Sequence, residues 1–185
     1  REPIEWRILD QNAADQYLVI SDKVLEKKRY NETDISITWE KSTIRSWLNG
    51  YGASYNSNGA DYVAYSFIDA AFTAEEQAKI IASNVPAHKN PSYSTSPGSP
   101  TTDKIFLLSI VEVMLYFAND KARLADATRY AVKQGLLVRG SDTVSTSSGT
   151  TSSNGTCTSF YVHCYAYWWL RSPGIYSYGA ARVLH

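Results

Sequence analysis

Apolar and polar positions alternate with a period of two near both ends of the chain and follow a helical period in between. Ile4-Glu5-Trp6-Arg7-Ile8 alternates apolar with charged residues, which predicts a half-buried strand. Tyr17-Leu18-Val19-Ile20 predicts a second strand, and the polar residues Asn12 to Asp15 between the two predict a hairpin. Thr38 to Gly50 reads as a short amphipathic helix with Ile44, Trp47 and Leu48 on one face and Gly50 as its stop. Tyr51 to Tyr65 lacks any helical period and predicts an inserted loop. Thr73, with Glu76 three residues on, forms a capping box and opens a helix to about Ile81. Four prolines among many serines make 83–102 a long loop. Lys104 to Leu108 predicts a buried strand, and Ser109 with Glu112 caps a helix ending near Phe117. Asp126 to Gln134 predicts one more short helix, stopped by Gly135.

The last third changes character. Eleven of the sixteen residues at 141–156 are serine or threonine, which predicts a low-complexity loop with little to bury. Phe160 to Arg171 then alternates strictly, predicting one long strand. Its apolar face carries Phe160, Val162, Cys164, Ala166, Trp168 and Leu170, and Tyr161, His163, Tyr165, Tyr167, Trp169 and Arg171 point the other way. Pro173-Gly174 predicts a turn, with a preset φ followed by a permissive residue. Short helices first and a strand last fit a mixed α+β domain better than a βαβ series.

Composition narrows the function classes. Of the 185 residues 44% are hydrophobic, enough for one globular domain with a sizeable core. Lysine plus arginine (18) balance aspartate plus glutamate (18), so charge gives no reason to expect nucleic acid or an anionic membrane. No apolar run reaches the roughly 20 residues of a membrane helix. Tyrosine is abundant at 14 copies beside five tryptophans, which suits either a binding surface or the edge of a core. The chain opens at Arg1-Glu2-Pro3 rather than methionine, as expected of a trimmed piece.

Familiar catalytic patterns are missing from the sequence. Gly-Tyr-Gly at 50–52 lacks the third glycine of a dinucleotide loop, and no G-x-S-x-G elbow occurs. Cys157, His163 and Cys164 do not match zinc spacings, and residues 163 and 164 of a strand face opposite ways, so neither a metal site nor a Cys–His nucleophile is expected. The two cysteines are compatible with a bridge across a hairpin or with free thiols. His88 has no sequence-adjacent partner, and Glu112 and Asp126 read as caps or solvated charges rather than metal ligands. Asn31-Glu32-Thr33 and Asn154-Gly155-Thr156 match the glycosylation triplet, a pattern common by chance.

The order of motifs is more specific than any one of them. Ile4-Glu5-Trp6-Arg7-Ile8-Leu9-Asp10, Thr38-Trp39-Glu40, Ile44 to Asn49, Phe72 to Glu76, Asp103 to Ser109 and Thr128-Arg129-Tyr130-Ala131 lead to Trp168-Trp169-Leu170-Arg171-Ser172-Pro173-Gly174. The series resembles a bacterial W-W-L-R-S-P-G domain family of uncharacterised function, often attached to surface proteins. The resemblance spans nearly the whole chain and implies a C-type-lectin-like fold, in the branch of formylglycine-generating enzymes and the variable proteins of diversity-generating retroelements. Expected, then, is a single α+β domain over 1–185 with a mixed or antiparallel sheet, short helices and long loops at about 51–65, 83–102 and 141–156. Family members usually continue with further strands, so the resemblance implies a domain extending beyond His185; a strand ending at Leu184-His185 would leave an unpaired edge.

Function follows from the same resemblance. In retroelement variable proteins the C-terminal segment is randomised at adenines, and Ile175, Tyr176, Ser177, Tyr178 and His185 all belong to the set reachable from asparagine codons. The implied activity is non-enzymatic binding of a protein or glycan on another cell, phage or host surface, without nucleic acid or membrane insertion. Ile175, Tyr176, Ser177, Tyr178, Arg182 and His185 would present side chains, with Tyr165 and Tyr167 extending the surface. Trp168, Trp169, Arg171, Pro173 and Gly174 would hold the backbone. The alternative is a surface-protein module with a fixed glycan or cell-wall ligand. An enzyme of the formylglycine-generating branch fits less well, because Cys157 and Cys164 precede the W-W-L-R element in a different context. No cofactor is expected, calcium entering by family analogy alone, and an extracellular or cell-surface location is implied.

Overall fold

A computed structural model describes residues 3–140, 164–177 and 179–183. The fold is mixed α+β, with short helices and small two-stranded sheets. None of the described helices is long and apolar enough to cross a membrane. The chain forms two compact units: one from the described residues of Arg1–Lys27, Tyr116–Trp168 and Val183–His185, the other from Lys28–Leu115 and Trp169–Arg182.

In the first unit, β1 (Trp6–Gln11) pairs antiparallel with β2 (Tyr17–Ser21), as the alternation predicts. The turn is built on Asn12, whose Oδ1 accepts the backbone N–H groups of Ala14 and Gln16 at 3.0 Å. The half-burial expected of the first strand does not hold: Trp6 and Ile8 are exposed, Ile8 by 61%, and so are Tyr17 and Val19 on β2. The helix expected from Asp126 starts later. Asp126 and Ala127 form isolated bridges with Tyr165 and Val24, and Thr128 caps α5 (Arg129–Lys133), which Gly135 ends at φ 78°. β5 (Val138–Gly140) pairs antiparallel with β6 (Cys164–Ala166).

The second unit is organised around Tyr30, Ile37, Trp39, Ile44, Leu48 and Val85. The predicted helix divides in two. A single 3-10 turn, Trp39–Lys41, comes first, and Ser42 then caps α1 (Thr43–Asn49), which ends on left-handed Gly50. Ile44 and Leu48 are buried, and Trp47 packs against the same cluster. α2 (Phe67–Ala71) is unforeseen, whereas α3 (Ala74–Lys79) carries the predicted Thr73–Glu76 capping box. The 83–102 segment is a loop except at its ends, where β3 (Ser83–Val85) pairs antiparallel with β4 (Thr101–Asp103). The 51–65 segment contains one 3-10 turn, Ala53–Tyr55, and is otherwise irregular.

Lys104 to Leu108 is not a strand. At its start, side chains take the place of a partner strand. Asn49 Oδ1 accepts the N–H groups of Lys104 and Ile105, and Asn49 Nδ2 donates to Ile105 O at 2.8 Å. Asn31 plays a similar part. It is buried, with Nδ2 donating to Thr33 O and Asn58 Oδ1 and with Oδ1 accepting Thr43 N–H, so the Asn31-Glu32-Thr33 triplet is a cross-tie rather than a sugar acceptor. Asn154 lies outside the described residues.

One buried ion pair ties α1 to β4. Arg45 Nε donates to both carboxylate oxygens of Asp103, at 2.8 and 3.1 Å. Asp103 is 0% exposed, and Trp39 Nε1, Thr101 Oγ1 and Tyr51 OH also donate to it, at 3.1, 2.6 and 3.0 Å. Partial burial, and then the Asp103 charge, push the Tyr51 hydroxyl up to about 12. Removing one member of a buried pair strands the other charge without a partner. Asp103→Ala is therefore expected to lower the unfolding free energy by about 3–5 kcal/mol, read by urea denaturation at neutral pH.

Candidate functional site

The W-W-L-R-S-P element forms β7 (Trp168–Pro173), which pairs with β8 (Ala180–Val183). The single strand expected from Phe160 to Arg171 is interrupted at Tyr167 over its described part. Its two expected faces are also wrong in β7, where Leu170, Arg171, Ser172 and Pro173 are all buried. Both sides are covered, so strand period no longer separates core from solvent. Trp168 Nε1 donates to Arg123 O at 3.1 Å in the first unit. In the second unit Trp169 Nε1 donates to Lys28 O at 3.0 Å, and its ring lies 5.9 Å from that of Tyr30.

Arg171 is the centre of the second unit's hydrogen bonding. Its side chain, expected on the outer face, belongs to a residue only 3% exposed. Nε donates to Pro86 O at 3.1 Å and Nη1 to Leu107 O at 2.7 Å. Nη2 donates to Glu112 Oε1 at 2.6 Å, while Nη1 also donates to Glu112 Oε2. The backbone N–H of Arg171 donates to Leu108 O at 2.9 Å, and its carbonyl accepts Tyr30 OH at 3.4 Å. The planar guanidinium thus joins the 83–102 loop, the 104–108 segment and α4 (Ile110–Tyr116).

Glu112 serves two masters at once. It completes the predicted box with Ser109: Oε2 accepts Ser109 N–H at 2.7 Å, and Glu112 N–H donates back to Ser109 Oγ at 3.3 Å. Burial pushes the Glu112 carboxyl up, but hydrogen bonds from Arg171 and Ser109 outweigh it and hold the group below its usual 4.5. His88 Nδ1 lies 2.8 Å from Ser109 Oγ. That contact braces rather than activates, because Ser109 is 0% exposed and its hydroxyl donates to Glu112 Oε2 at 3.0 Å.

Beyond Arg171 the backbone of the hairpin is held from several sides. Asn90 Nδ2 donates to Pro173 O at 2.9 Å, and Thr95 Oγ1 donates to Gly174 O at 2.8 Å. Gly174 N–H donates to Gly179 O at 2.8 Å, Gly179 N–H to Tyr176 O at 3.1 Å, and Ile37 N–H to Ser177 O at 2.7 Å. Pro173-Gly174 does not form the turn itself. Pro173 closes β7, and Gly174, outside the left-handed region, allows a close approach: a Cβ there would sit 3.1 Å from Ala180 O. The chain reverses at Ile175 to Ser177, whose side chains are exposed, Ile175 and Tyr176 each by 56%.

Residues 14–185 match a family described as a domain of unknown function, DUF6273. The chain belongs to that family. No curated protein and no solved structure matches it.

Within this DUF6273 domain, three of the expected ligand-facing residues, Ile175, Tyr176 and Ser177, come together at the hairpin tip. Arg182 is exposed on β8, whereas Tyr165 and Tyr167 are half-buried and belong to the other unit. Tyr178 and His185 lie outside the described residues, as do Cys157, His163 and the side chain of Cys164. Among the described residues no group of three or more His, Cys, Asp or Glu side chains is placed to hold a metal. Sequence reasoning missed Ile37, Pro86, Asn90, Thr95 and Leu107, which act largely through backbone atoms or across long sequence separations.

The lowered carboxyl sets a sign for pH. Glu112 adds stability above about 4.5, its usual value, and that contribution fades as pH falls through the lower folded-state value. Glu112→Gln is expected to destabilise the domain at pH 7 by about 3–5 kcal/mol and to flatten its acid limb. Denaturant melts of both proteins between pH 3 and 7 read the difference.

Proposed function

We propose that the β7–β8 hairpin is a ligand-display surface of a C-type-lectin-like domain, resembling the variable proteins of diversity-generating retroelements. Binding of a protein or glycan, not catalysis, is the activity, and a bacterial cell surface is its setting. One observation supports display above all. At 173–177 backbone carbonyls are engaged by Asn90, Thr95, Gly179 and Ile37, while the side chains of Ile175, Tyr176 and Ser177 face outward. Backbone position is then independent of side-chain identity, which is what a surface of changing sequence requires. Tyrosine offers contact area with few rotors, and serine offers adaptable hydrogen bonds.

The tip should tolerate replacement. Ile175→Asp, Tyr176→Ser and Ser177→Tyr are each expected to change stability by less than about 0.5 kcal/mol, as exposed positions do, in thermal melts. The gene's neighbourhood tests the display reading. A reverse transcriptase gene beside a near-copy of the segment encoding 175–185, differing at adenines, is the expected result. Its absence overturns retroelement display and leaves a module with a fixed glycan or cell-wall ligand.

A further inference from the structure

Apart from the hairpin, the second unit contains an open cleft of about 350 Å³ lined by Asn49, Gly50, Tyr51, Asp69, Gln77 and Lys104, among others. That volume falls at the lower end of small-molecule sites. Gly50 leaves bare backbone in its wall, because a Cβ there would meet Ser66 Oγ at 3.2 Å and φ is 70°. Two opposite charges line the same cleft without pairing with each other. Asp69 receives hydrogen bonds from Ser66 Oγ and, at 3.2 Å, from Gln77 Nε2, which leaves half of a carboxylate's acceptor capacity unused. Lys104 Nζ donates to Gln77 O at 2.9 Å, one of its three donors.

Both charges stand on fixed supports. Ser66 caps α2 with Asp69 at its third position, so the carboxylate is fastened to its own helix. Asn49 Oδ1 accepts the Lys104 backbone N–H at 3.0 Å. Gln77 touches both, with its side chain on Asp69 and its carbonyl on Lys104. The aromatic wall is already engaged: Arg45 lies 5.0 Å from the Tyr51 ring centre, and Tyr55 stacks on it at 4.8 Å. Little of that ring remains for a sugar face, so charge rather than stacking sets the ligand class.

We infer that this cleft binds a small zwitterion of the size of an amino acid or dipeptide, with its ammonium on Asp69 and its carboxylate on Lys104. The site shares no residue with the hairpin tip, and its success or failure is independent of display. Its exposure makes binding weak and salt-sensitive.

Titration of the full chain with L-alanine and L-alanyl-L-alanine, followed by amide chemical shifts, tests this. Saturable shifts are expected at Gly50, Asp69, Gln77 and Lys104, weakening about ten-fold or more when the amino group is acetylated or the carboxylate amidated. Asp69→Asn and Lys104→Met are each expected to weaken binding to a similar degree. If Asp69→Asn fails to fold, the blocked ligands on the unaltered chain decide. The absence of saturable shifts up to about 50 mM, a concentration at which even sub-millimolar to millimolar sites fill, overturns the inference. So does equal binding of the blocked forms, or saturable binding of glucose alone.

Discussion

A buried guanidinium holds the second unit together. A charge in this position is tolerable only with a complete set of partners, since an unpaired buried ion costs several kcal/mol. Arg171 finds them on three separate stretches: Pro86 O, Leu107 O and both oxygens of Glu112. Lysine could not replace this fork, because a single ammonium cannot meet a bidentate carboxylate and two carbonyls in one plane. The geometry makes β7 a fixed reference to which neighbouring loops are attached.

The same logic recurs in the rest of the unit. Regular sheet is scarce, so side chains complete the backbone hydrogen bonding that strands would otherwise provide. Asn49 supports Lys104 and Ile105, Asn31 joins Thr33 to Thr43, and Asn90 holds Pro173. Asp103 gathers Arg45, Trp39, Tyr51 and Thr101 around one carboxylate. Such networks fix geometry without demanding apolar volume, and they are strict because each partial network leaves a polar atom buried alone.

How much of this could be read from the chain depended on range. Local signals were legible: the β1–β2 hairpin, the later part of the helix expected over Thr38 to Gly50, and the boxes at Thr73–Glu76 and Ser109–Glu112 all formed. α2 was missed although Ser66 and Asp69 stand at capping spacing, because only five helical residues follow the cap. Lys104 to Leu108 looked like a strand because apolar runs signal burial, not pairing. Arg171 was assigned to an outer face because period-two reasoning assumes that one side of a strand meets water. Its partners lie far away in sequence, and two of them are carbonyls with no residue signature. The exposed tip was legible as a stretch, but the side chains and amides that hold its backbone were not.

The hairpin backbone takes its position from Arg171 and its attachments rather than from the residues at the tip. Native-state hydrogen exchange measures this directly, at the amides of Ile37, Arg171 and Gly174, which donate to Ser177, Leu108 and Gly179. Tyr176→Ser should leave their protection unchanged, and Arg171→Lys should reduce it by about ten-fold or more, the equivalent of about 1.4 kcal/mol. Loss of protection in Tyr176→Ser, or its full retention in Arg171→Lys, would mean that the tip residues and not Arg171 set the hairpin backbone.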